Sequence, residues 1–293
     1  MGEALNDILN NACSNNKEHL KENIAITWIN YRSENNNIFK GYGYGINSGK
    51  AIYPASIVKL VYGFAAYHWI REGRILLTEE ISDAVKKMLF YSSNNATSFL
   101  VDLLTGTTSG PRIQGECWEN WKYQRGIVND WLKNLNWEEF YGINCCQKTW
   151  DDEPFGREKE FYGHENRNRN AMTTDATARV LEEIMIHIDT QKNNLNLRNF
   201  LKRNLNKDLL KNDPFNQVEG FLGEGLPELT DFWSKAGLMS EVRHDAAWWI
   251  NSRSLQTLLV VFGNDKSYVK DTELFPFIAK AVYEYNNAAF TKD

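Results

Sequence analysis

Strand-like segments lie near both ends of this chain, and the long stretch between them has a mainly helical pattern. Residues rich in β-branched and aromatic side chains predict five strands: residues 23–31, 38–46, 231–238, 246–250 and 255–262. A polar turn at residues 33–37 would join the first two strands as a hairpin, and hairpins join antiparallel neighbours. One sheet with strands from both chain ends requires that the middle of the chain be an insertion.

Apolar residues at helical spacing predict terminal helices over residues 3–21 and 273–290. Further helices are expected at residues 56–71, 79–90, 96–104, 121–135 and 195–210. The sequence therefore predicts an α+β fold, an α/β sandwich whose five-stranded, mostly antiparallel sheet is flanked by the terminal helices. We expect residues 1–50 and 227–293 to form the sheet subdomain, and residues 51–226 to form an inserted, all-helical subdomain of one intertwined unit.

The composition excludes several classes of function. The 293 residues are 42% hydrophobic and 24% charged, which is ordinary for a globular protein. A net charge of −5 without a block of like charges argues against nucleic acid as a partner. No run of 18 apolar residues exists, so no membrane span is expected. The 13% aromatic content, with ten Trp, indicates either aromatic packing or an aromatic-lined cleft.

The four cysteines show no Cys-x-x-Cys pair and no histidines at metal-ligand spacing, so we expect no metal and no cofactor. The first residues carry no basic start followed by an apolar segment. As written, the chain is expected to be cytoplasmic; it would be periplasmic or extracellular if a leader had been removed. The oligomeric state stays open.

The chemistry centres on Ser56-x-x-Lys59, at the start of a predicted helix. Residues three apart on a helix share a face, so the lysine amine can reach the serine hydroxyl. Serine needs a neighbouring base to become a nucleophile, and a lysine whose pKa is lowered by burial can serve. By itself this motif is weak, because a helix cap followed by a surface lysine has the same pattern.

Two further segments support a catalytic interpretation of the motif. Ser93-Asn94-Asn95 lies in a short loop before a helix, where serine and asparagine are also favoured simply as caps. Lys235-Ala236-Gly237 lies in a predicted strand far along the chain. The three segments, in this order and at this spacing, resemble the motifs of the penicillin-recognising serine enzymes, which include class A β-lactamases and penicillin-binding proteins.

This resemblance implies roles for individual residues. Ser56 would be the acylated nucleophile and Lys59 the acceptor of its proton. Ser93 would pass a proton towards the leaving nitrogen, and Asn95 would bind the substrate's amide side chain. Lys235 would attract a substrate carboxylate.

The resemblance also implies how the rest of the site is built. The backbone N–H groups of Ser56 and Leu238 would form an oxyanion hole, with Gly237 and Leu238 lining the substrate site. The family's third motif usually has a hydroxyl where this chain has Ala236. Arg243 follows the third-motif strand and would bind the substrate carboxylate in place of that hydroxyl, or it is a surface arginine of a hairpin.

The sequence shows no obvious residue that would activate water for deacylation. Class A β-lactamases use a glutamate in Glu-x-x-Leu-Asn on a loop, and the corresponding loop here, residues 141–172, is longer and lacks that pattern. Glu165 is the first candidate for the base that activates water and Glu153 the second. Other acidic residues of the loop are also available: Asp151, Asp152, Glu158 and Glu160.

Three functions remain open from the sequence. The first is a serine hydrolase of the class A β-lactamase type that forms an acyl-enzyme on a β-lactam or a related, carboxylate-bearing amide or ester. The second is a penicillin-binding, peptidase-like or esterase-type serine hydrolase with a non-lactam substrate. The third is a catalytically silent binding protein that keeps the fold.

Overall fold

A computed structural model describes residues 1–13, 18–33, 39–188 and 195–289. The α-helices of these residues are α1 (Gly2–Ala12), α2 (Val58–Arg71), α3 (Glu79–Phe90), α4 (Asn94–Thr105), α5 (Gly115–Arg125), α6 (Ile127–Asn134), α7 (Gly156–Tyr162), α8 (Thr174–Glu182), α9 (Leu197–Leu201), α10 (Lys207–Leu210), α11 (Lys266–Lys270) and α12 (Leu274–Ala289). The strands are β1 (Ile24–Ser33), β2 (Phe39–Ile46), β3 (Lys202–Arg203), β4 (Asp231–Met239), β5 (Val242–Ile250) and β6 (Gln256–Gly263).

The strands form one sheet in the order β2-β1-β6-β5-β4-β3, and all paired neighbours are antiparallel. This confirms the predicted α+β fold with a sheet drawn from both chain ends. The structure adds a sixth strand, β3, of two residues. It falls within the stretch 195–210 that was expected to be one helix, because pairing with the edge of β4 competes there with helix formation.

Local patterns misplaced other boundaries too. The first helix ends at Ala12, and a 3₁₀ turn follows at Glu18–Asn23, where a helix to residue 21 was expected. The predicted helix 121–135 divides at Gly126 into α5 and α6. Residues 34–37 of the expected hairpin turn lie outside the described residues.

The chain packs as two compact units, and the first contains the sheet. It comprises Met1–Lys50, Thr173–Ile188 and Leu201–Asp293. One face of the sheet packs against α1 and α12 through a continuous apolar core that includes Leu5, Ile26, Phe232, Trp249, Val261, Phe275 and Ile278. The alternation of strand side chains places these residues on one face.

The opposite face of the sheet packs against α8, which contacts β1, β5 and β6. The Thr27 hydroxyl donates to Asp175 Oδ1 at 2.6 Å, and its oxygen lies 2.8 Å from Thr174 Oγ1. On the same face the rings of Tyr31 and Trp248 stack with centroids 4.7 Å apart. The sheet is therefore covered by helices on both faces, as its long apolar strands require.

The second unit comprises Ala51–Met172 and Asp189–Phe200 and includes the largely buried helix α2. The apolar side chains of this helix lie on all of its faces, and such a helix is stable only when neighbouring elements cover it. Nearly all of its residues are buried, and it packs against α3 and α4. Within the described ranges, no helix has the length and apolar character needed to cross a bilayer.

Candidate functional site

The serine and lysine of the first motif are in hydrogen-bonding contact. Ser56 lies in a single 3₁₀ turn, Ala55–Ile57, that leads directly into α2, and Lys59 lies in the first turn of α2. The Lys59 Nζ atom is 3.1 Å from Ser56 Oγ. Because α2 is buried along its length, the Lys59 side chain is 0% exposed.

Polar acceptors from the loop before α4 surround the Lys59 amine. The amine lies 2.5 Å from Ser92 O, 3.1 Å from Ser92 Oγ and 2.7 Å from Asn94 Oδ1. Burial lowers the pKa of Lys59 to about 7, and the negative charge of Asp151 acts in the opposite direction. A lysine with this pKa is substantially neutral near pH 7, so it can accept a proton from the serine.

Two residues near the Lys59 amine have strained backbone conformations. Ala55, next to Ser56, has φ +46°, and Ser92 has φ +59°. Both values lie in the left-handed region, which residues with a Cβ atom rarely adopt. Strain of this kind persists where the surrounding structure enforces it and is often found at functional sites.

The second motif is used in a different register from the expected one. Ser93 caps the N-terminus of α4, where its hydroxyl accepts from the Ala96 N–H at 3.2 Å, and Asn95 is exposed. The residues whose side chains contact the Lys59 amine are instead Ser92 and Asn94. The sequence Ser92-Ser93-Asn94-Asn95 contains two overlapping Ser-x-Asn patterns, so the motif alone could not select between them.

One acidic residue of the long loop reaches this cluster, and it is neither of the two glutamates favoured from the sequence. The Asn94 side-chain amide donates to Asp151 Oδ1. Glu153 forms an exposed ion pair with Lys159 at 2.8 Å. The Glu165 side chain is 84% exposed, and its nearest ionic contact is His164 at 3.9 Å. The structure therefore brings Asp151, and neither Glu165 nor Glu153, into contact with the Lys59 cluster.

A cluster of four charged side chains, three of them buried, anchors the loop that carries Asp151. The Lys148 amine lies 2.7 Å from Asp102 Oδ2 on α4 and 3.5 Å from Glu158 Oε1. Arg125, 0% exposed, donates to Glu158 at 2.7 Å and to Asp102 at 3.1 Å. Two cations face two anions, so the charges compensate each other and fix the loop three residues before Asp151.

The third motif lies in β4, within the sheet unit. Lys235 is 0% exposed, and its amine donates to Gln217 Oε1 and to Ala236 O, both at 2.7 Å. Gly237 is buried, whereas the Leu238 side chain is 46% exposed. The third-motif lysine is therefore already hydrogen-bonded to a side chain from the connection before β4.

Along part of the outer edge of β4, the backbone groups form hydrogen bonds with side chains rather than with a neighbouring strand. The Arg203 guanidinium donates to Ser234 O, and the Ala236 N–H donates to Gln217 Oε1 at 3.4 Å. Backbone groups of alternate residues point to the same edge of a strand. The N–H of Leu238 consequently points to the edge that Ser234 and Ala236 use.

Arg243 does not fulfil the expectation that it binds a substrate carboxylate. It is 4% exposed, and its guanidinium donates to three backbone carbonyls, Tyr268 O at 2.8 Å, Gly220 O at 2.7 Å and Val269 O at 2.7 Å. Arg243 is in phase along β5 with Ala247 and Trp249, so its side chain lies on the face of the sheet that packs against α1 and α12. No sequence signal distinguished this arginine from a surface one.

Comparison with protein families now identifies the chain. The model of the Beta-lactamase enzyme family matches residues 80–286. The chain belongs to the Beta-lactamase enzyme family. The match includes Ser92, Asn94 and Lys235 and begins after Ser56 and Lys59. A search of the curated proteins finds no match.

Solved structures show the same fold at low sequence identity. A β-lactamase from Chitinophaga pinensis has a TM-score of 0.65 and 14% identity, with 98% of each chain covered. A β-lactamase from Sphaerobacter thermophilus has a TM-score of 0.64 and 15% identity, with 98% of each chain covered. A PBP-A mutant, described as an acyl-enzyme complex with penicillin G, has a TM-score of 0.65 and 13% identity, covering 98% of this chain and 97% of that one.

These findings confirm the resemblance stated from the sequence. The protein has the β-lactamase/transpeptidase fold of the penicillin-recognising superfamily, and its family is one of hydrolases acting on small molecules. Among the residues that the structure describes, no group of histidine, cysteine, aspartate and glutamate side chains could hold a metal ion.

Proposed function

We propose that this protein is a serine hydrolase of the class A β-lactamase type, which forms an acyl-enzyme at Ser56 with a β-lactam or a related amide or ester. The observation that carries the proposal is the 3.1 Å contact between Ser56 Oγ and the amine of the fully buried Lys59, whose pKa burial lowers to about 7. A nucleophile and a base in contact, with the base in its neutral form, are what acyl transfer requires.

In the first step, neutral Lys59 accepts the Ser56 proton while Ser56 Oγ attacks the carbonyl carbon. The resulting oxyanion needs hydrogen-bond donors that are in place beforehand. The N–H group of Ser56 is a proposed donor.

Collapse of the tetrahedral intermediate requires a proton at the leaving nitrogen. Ser92 is the proposed relay, because its hydroxyl is 3.1 Å from the Lys59 amine. Asn94 holds that amine through Oδ1 at 2.7 Å. Ser92 and Asn94 are thus proposed for the roles that the resemblance had given to Ser93 and Asn95, and Lys235 stays the predicted third-motif cation.

Hydrolysis of the acyl-enzyme requires an activated water. Asp151 is the proposed base, because it is the loop carboxylate that contacts the Lys59 cluster through Asn94. A carboxylate within reach of a bound water by a hydrogen bond can act as a general base. The charged side chains of Lys148, Asp102, Arg125 and Glu158 hold the start of this loop in place.

Incubation with a chromogenic cephalosporin and with a fluorescent penicillin, each followed by intact-mass measurement, tests the proposal. Turnover together with a transient adduct on Ser56 is the expected result. Ser56→Ala is expected to lose both turnover and adduct, and an adduct that survives this substitution overturns the assignment.

A penicillin-binding, peptidase-like or esterase activity is the second candidate, and one observation favours it. Ala236 offers no hydroxyl, and the amine of Lys235 already donates to Gln217. Two groups that were expected to bind a β-lactam carboxylate are therefore missing or hydrogen-bonded within the protein. A stable penicillin adduct on Ser56 without turnover would indicate the peptidase-like enzyme. Labelling of Ser56 by a fluorophosphonate alone would indicate an esterase, and no labelling at all would indicate a silent binding protein.

A further inference from the structure

A buried hydroxyl lies two residues before Asp151. Thr149 is 7% exposed, and its Oγ1 atom has no hydrogen-bond partner among the residues that the structure describes. Gln147 is 1% exposed, and its Oε1 atom also lacks a partner within those residues. Buried polar atoms in folded proteins nearly always have a partner, which is either a protein group or an ordered water. Two such atoms in one short segment therefore indicate that water binds beside it.

The segment that carries Thr149 runs along α4. At one end of it the Lys148 amine contacts Asp102, and at the other end Asp151 accepts from the Asn94 side-chain amide. Asp102 and Asn94 lie about 12 Å apart along the helix axis, which favours an extended chain between Lys148 and Asp151. The chain bends only when it reaches Asp151.

Thr149 and Asp151 share one side of this extended segment, because side chains alternate between the two sides of an extended chain. Lys148 and Trp150 lie together on the other side, since the Lys148 amine is 5.8 Å from the centre of the Trp150 ring. Neighbours on one side of an extended chain are about 7 Å apart, a separation that one water molecule can bridge with two hydrogen bonds.

Contacts within a single compact unit connect this side of the segment to the nucleophile. Ser56, Thr149 and Asp151 all belong to the second unit. Asp151 accepts from Asn94, whose Oδ1 atom lies 2.7 Å from the Lys59 amine. The same amine is 3.1 Å from Ser56 Oγ.

We propose that the Thr149 hydroxyl and the Asp151 carboxylate together hold the water that hydrolyses the acyl-enzyme. The inference rests on the proposed function, to which it adds a second residue that binds the water. The water donates one hydrogen to Asp151 and the other to Thr149 Oγ1, which leaves a lone pair of its oxygen for the attack. The water oxygen then bonds to the acyl carbon and the ester bond to Ser56 Oγ breaks. One water proton passes to Asp151 and ends on Ser56 Oγ.

Replacement of the hydroxyl by a methyl group of similar size tests the inference on the complete chain. Thr149→Val should slow hydrolysis of the penicillin acyl-enzyme by about tenfold, as expected for loss of one hydrogen bond to the water. Its acylation rate should stay within about twofold of the wild type. Thr149→Ser restores a hydroxyl and should recover most of the loss. Trp150→Phe removes a polar atom from the other side of the segment and should leave hydrolysis near the wild-type rate.

Two further measurements distinguish a hydroxyl that binds the water from one that only supports the loop. Added hydroxylamine cleaves an acyl-enzyme without a general base, so its rate should be nearly equal in the wild type and Thr149→Val. In the Asp151→Asn background, Thr149→Val should slow hydrolysis by less than about threefold more, because both residues act on one water and their effects are not additive.

Equal rates of hydrolysis in the wild type and Thr149→Val overturn the inference, and so does a full tenfold further loss in the Asp151→Asn background. A melting temperature of Thr149→Val that rises by about 3 °C or more also overturns it, since the hydroxyl would then lack a partner in solution. If Thr149→Val does not fold, as judged by thermal unfolding, Thr149→Ala carries the same expectations for hydrolysis.

A penicillin adduct on Ser56 that the wild type does not hydrolyse overturns the inference while it retains the nucleophile. Failure of the proposed function has a different signature, which is no mass adduct on Ser56 with penicillin or with a fluorophosphonate. That result removes this inference as well.

Discussion

Lys59 and Lys235 are both completely buried lysines, yet their surroundings prepare them for different tasks. The Lys59 amine contacts two hydroxyls, those of Ser56 and Ser92, which can exchange protons with it. The Lys235 amine contacts an amide oxygen and a backbone carbonyl, as the Lys59 amine also does, and such groups can only accept. Burial alone therefore does not make a lysine a base, because the chemistry depends on the atoms that face the amine.

The largest effect on the acylation rate is expected when Lys59 is replaced. Lys59→Met should lower the rate of Ser56 acylation by about 10³-fold, since a positioned general base contributes on the order of 10²–10⁴ to such a step. Lys235→Met, measured with a neutral ester, should lower the rate by less than about tenfold. Stopped-flow measurement of acyl-enzyme formation gives both numbers. Equal losses in the two variants would show that the lysines do not differ as proposed.

The register of the second motif is tested by two adjacent serines. Ser92→Ala should slow acylation by about 10²-fold, because it removes a proton relay beside Lys59. Ser93→Ala removes the N-cap of α4 and should cost about 1 kcal/mol of stability, with little change in rate. Steady-state kinetics and urea unfolding of both variants separate the roles. A larger loss of rate in Ser93→Ala would restore the register expected from the sequence.

The loop carboxylates offer a second adjacent pair. Asp151→Asn should slow deacylation by about 10²-fold and let the acyl-enzyme accumulate, as expected for loss of a general base. Asp152→Asn changes a neighbouring exposed carboxylate and should leave the acyl-enzyme lifetime near that of the wild type. Time-resolved intact mass after mixing with penicillin gives both lifetimes. Indistinguishable lifetimes would exclude Asp151 as the base.

The smallest expected effect is a shift in pH dependence. Acylation needs neutral Lys59, whose pKa is about 7, so the acylation rate should rise with pH through about 7 and level off above it. The charge of Asp151 raises the pKa of Lys59. Asp151→Asn should therefore move the midpoint of the acylation profile to lower pH. A midpoint that moves to higher pH would contradict the electrostatic coupling between the two groups.

The local sequence determined the main architecture and the centre of the site. Alternating segments at both ends predicted the antiparallel sheet, because each strand's pattern records which face is buried. The Ser56-x-x-Lys59 spacing on a helix placed the hydroxyl beside the amine for the same reason, since neighbours along a helix are fixed by its geometry. The functional family could be named from the order of three short motifs.

Tertiary structure alone decided the rest. Ser92 rather than Ser93 contacts Lys59, Asp151 rather than Glu165 contacts Asn94, and Arg243 donates to backbone carbonyls. All of these contacts join residues far apart in sequence. Gln217 carried no motif at all, and it gains its importance only because the chain returns it to Lys235. Hydrogen bonds depend on the three-dimensional approach of two groups, and the spacing of residues along a chain does not record that approach.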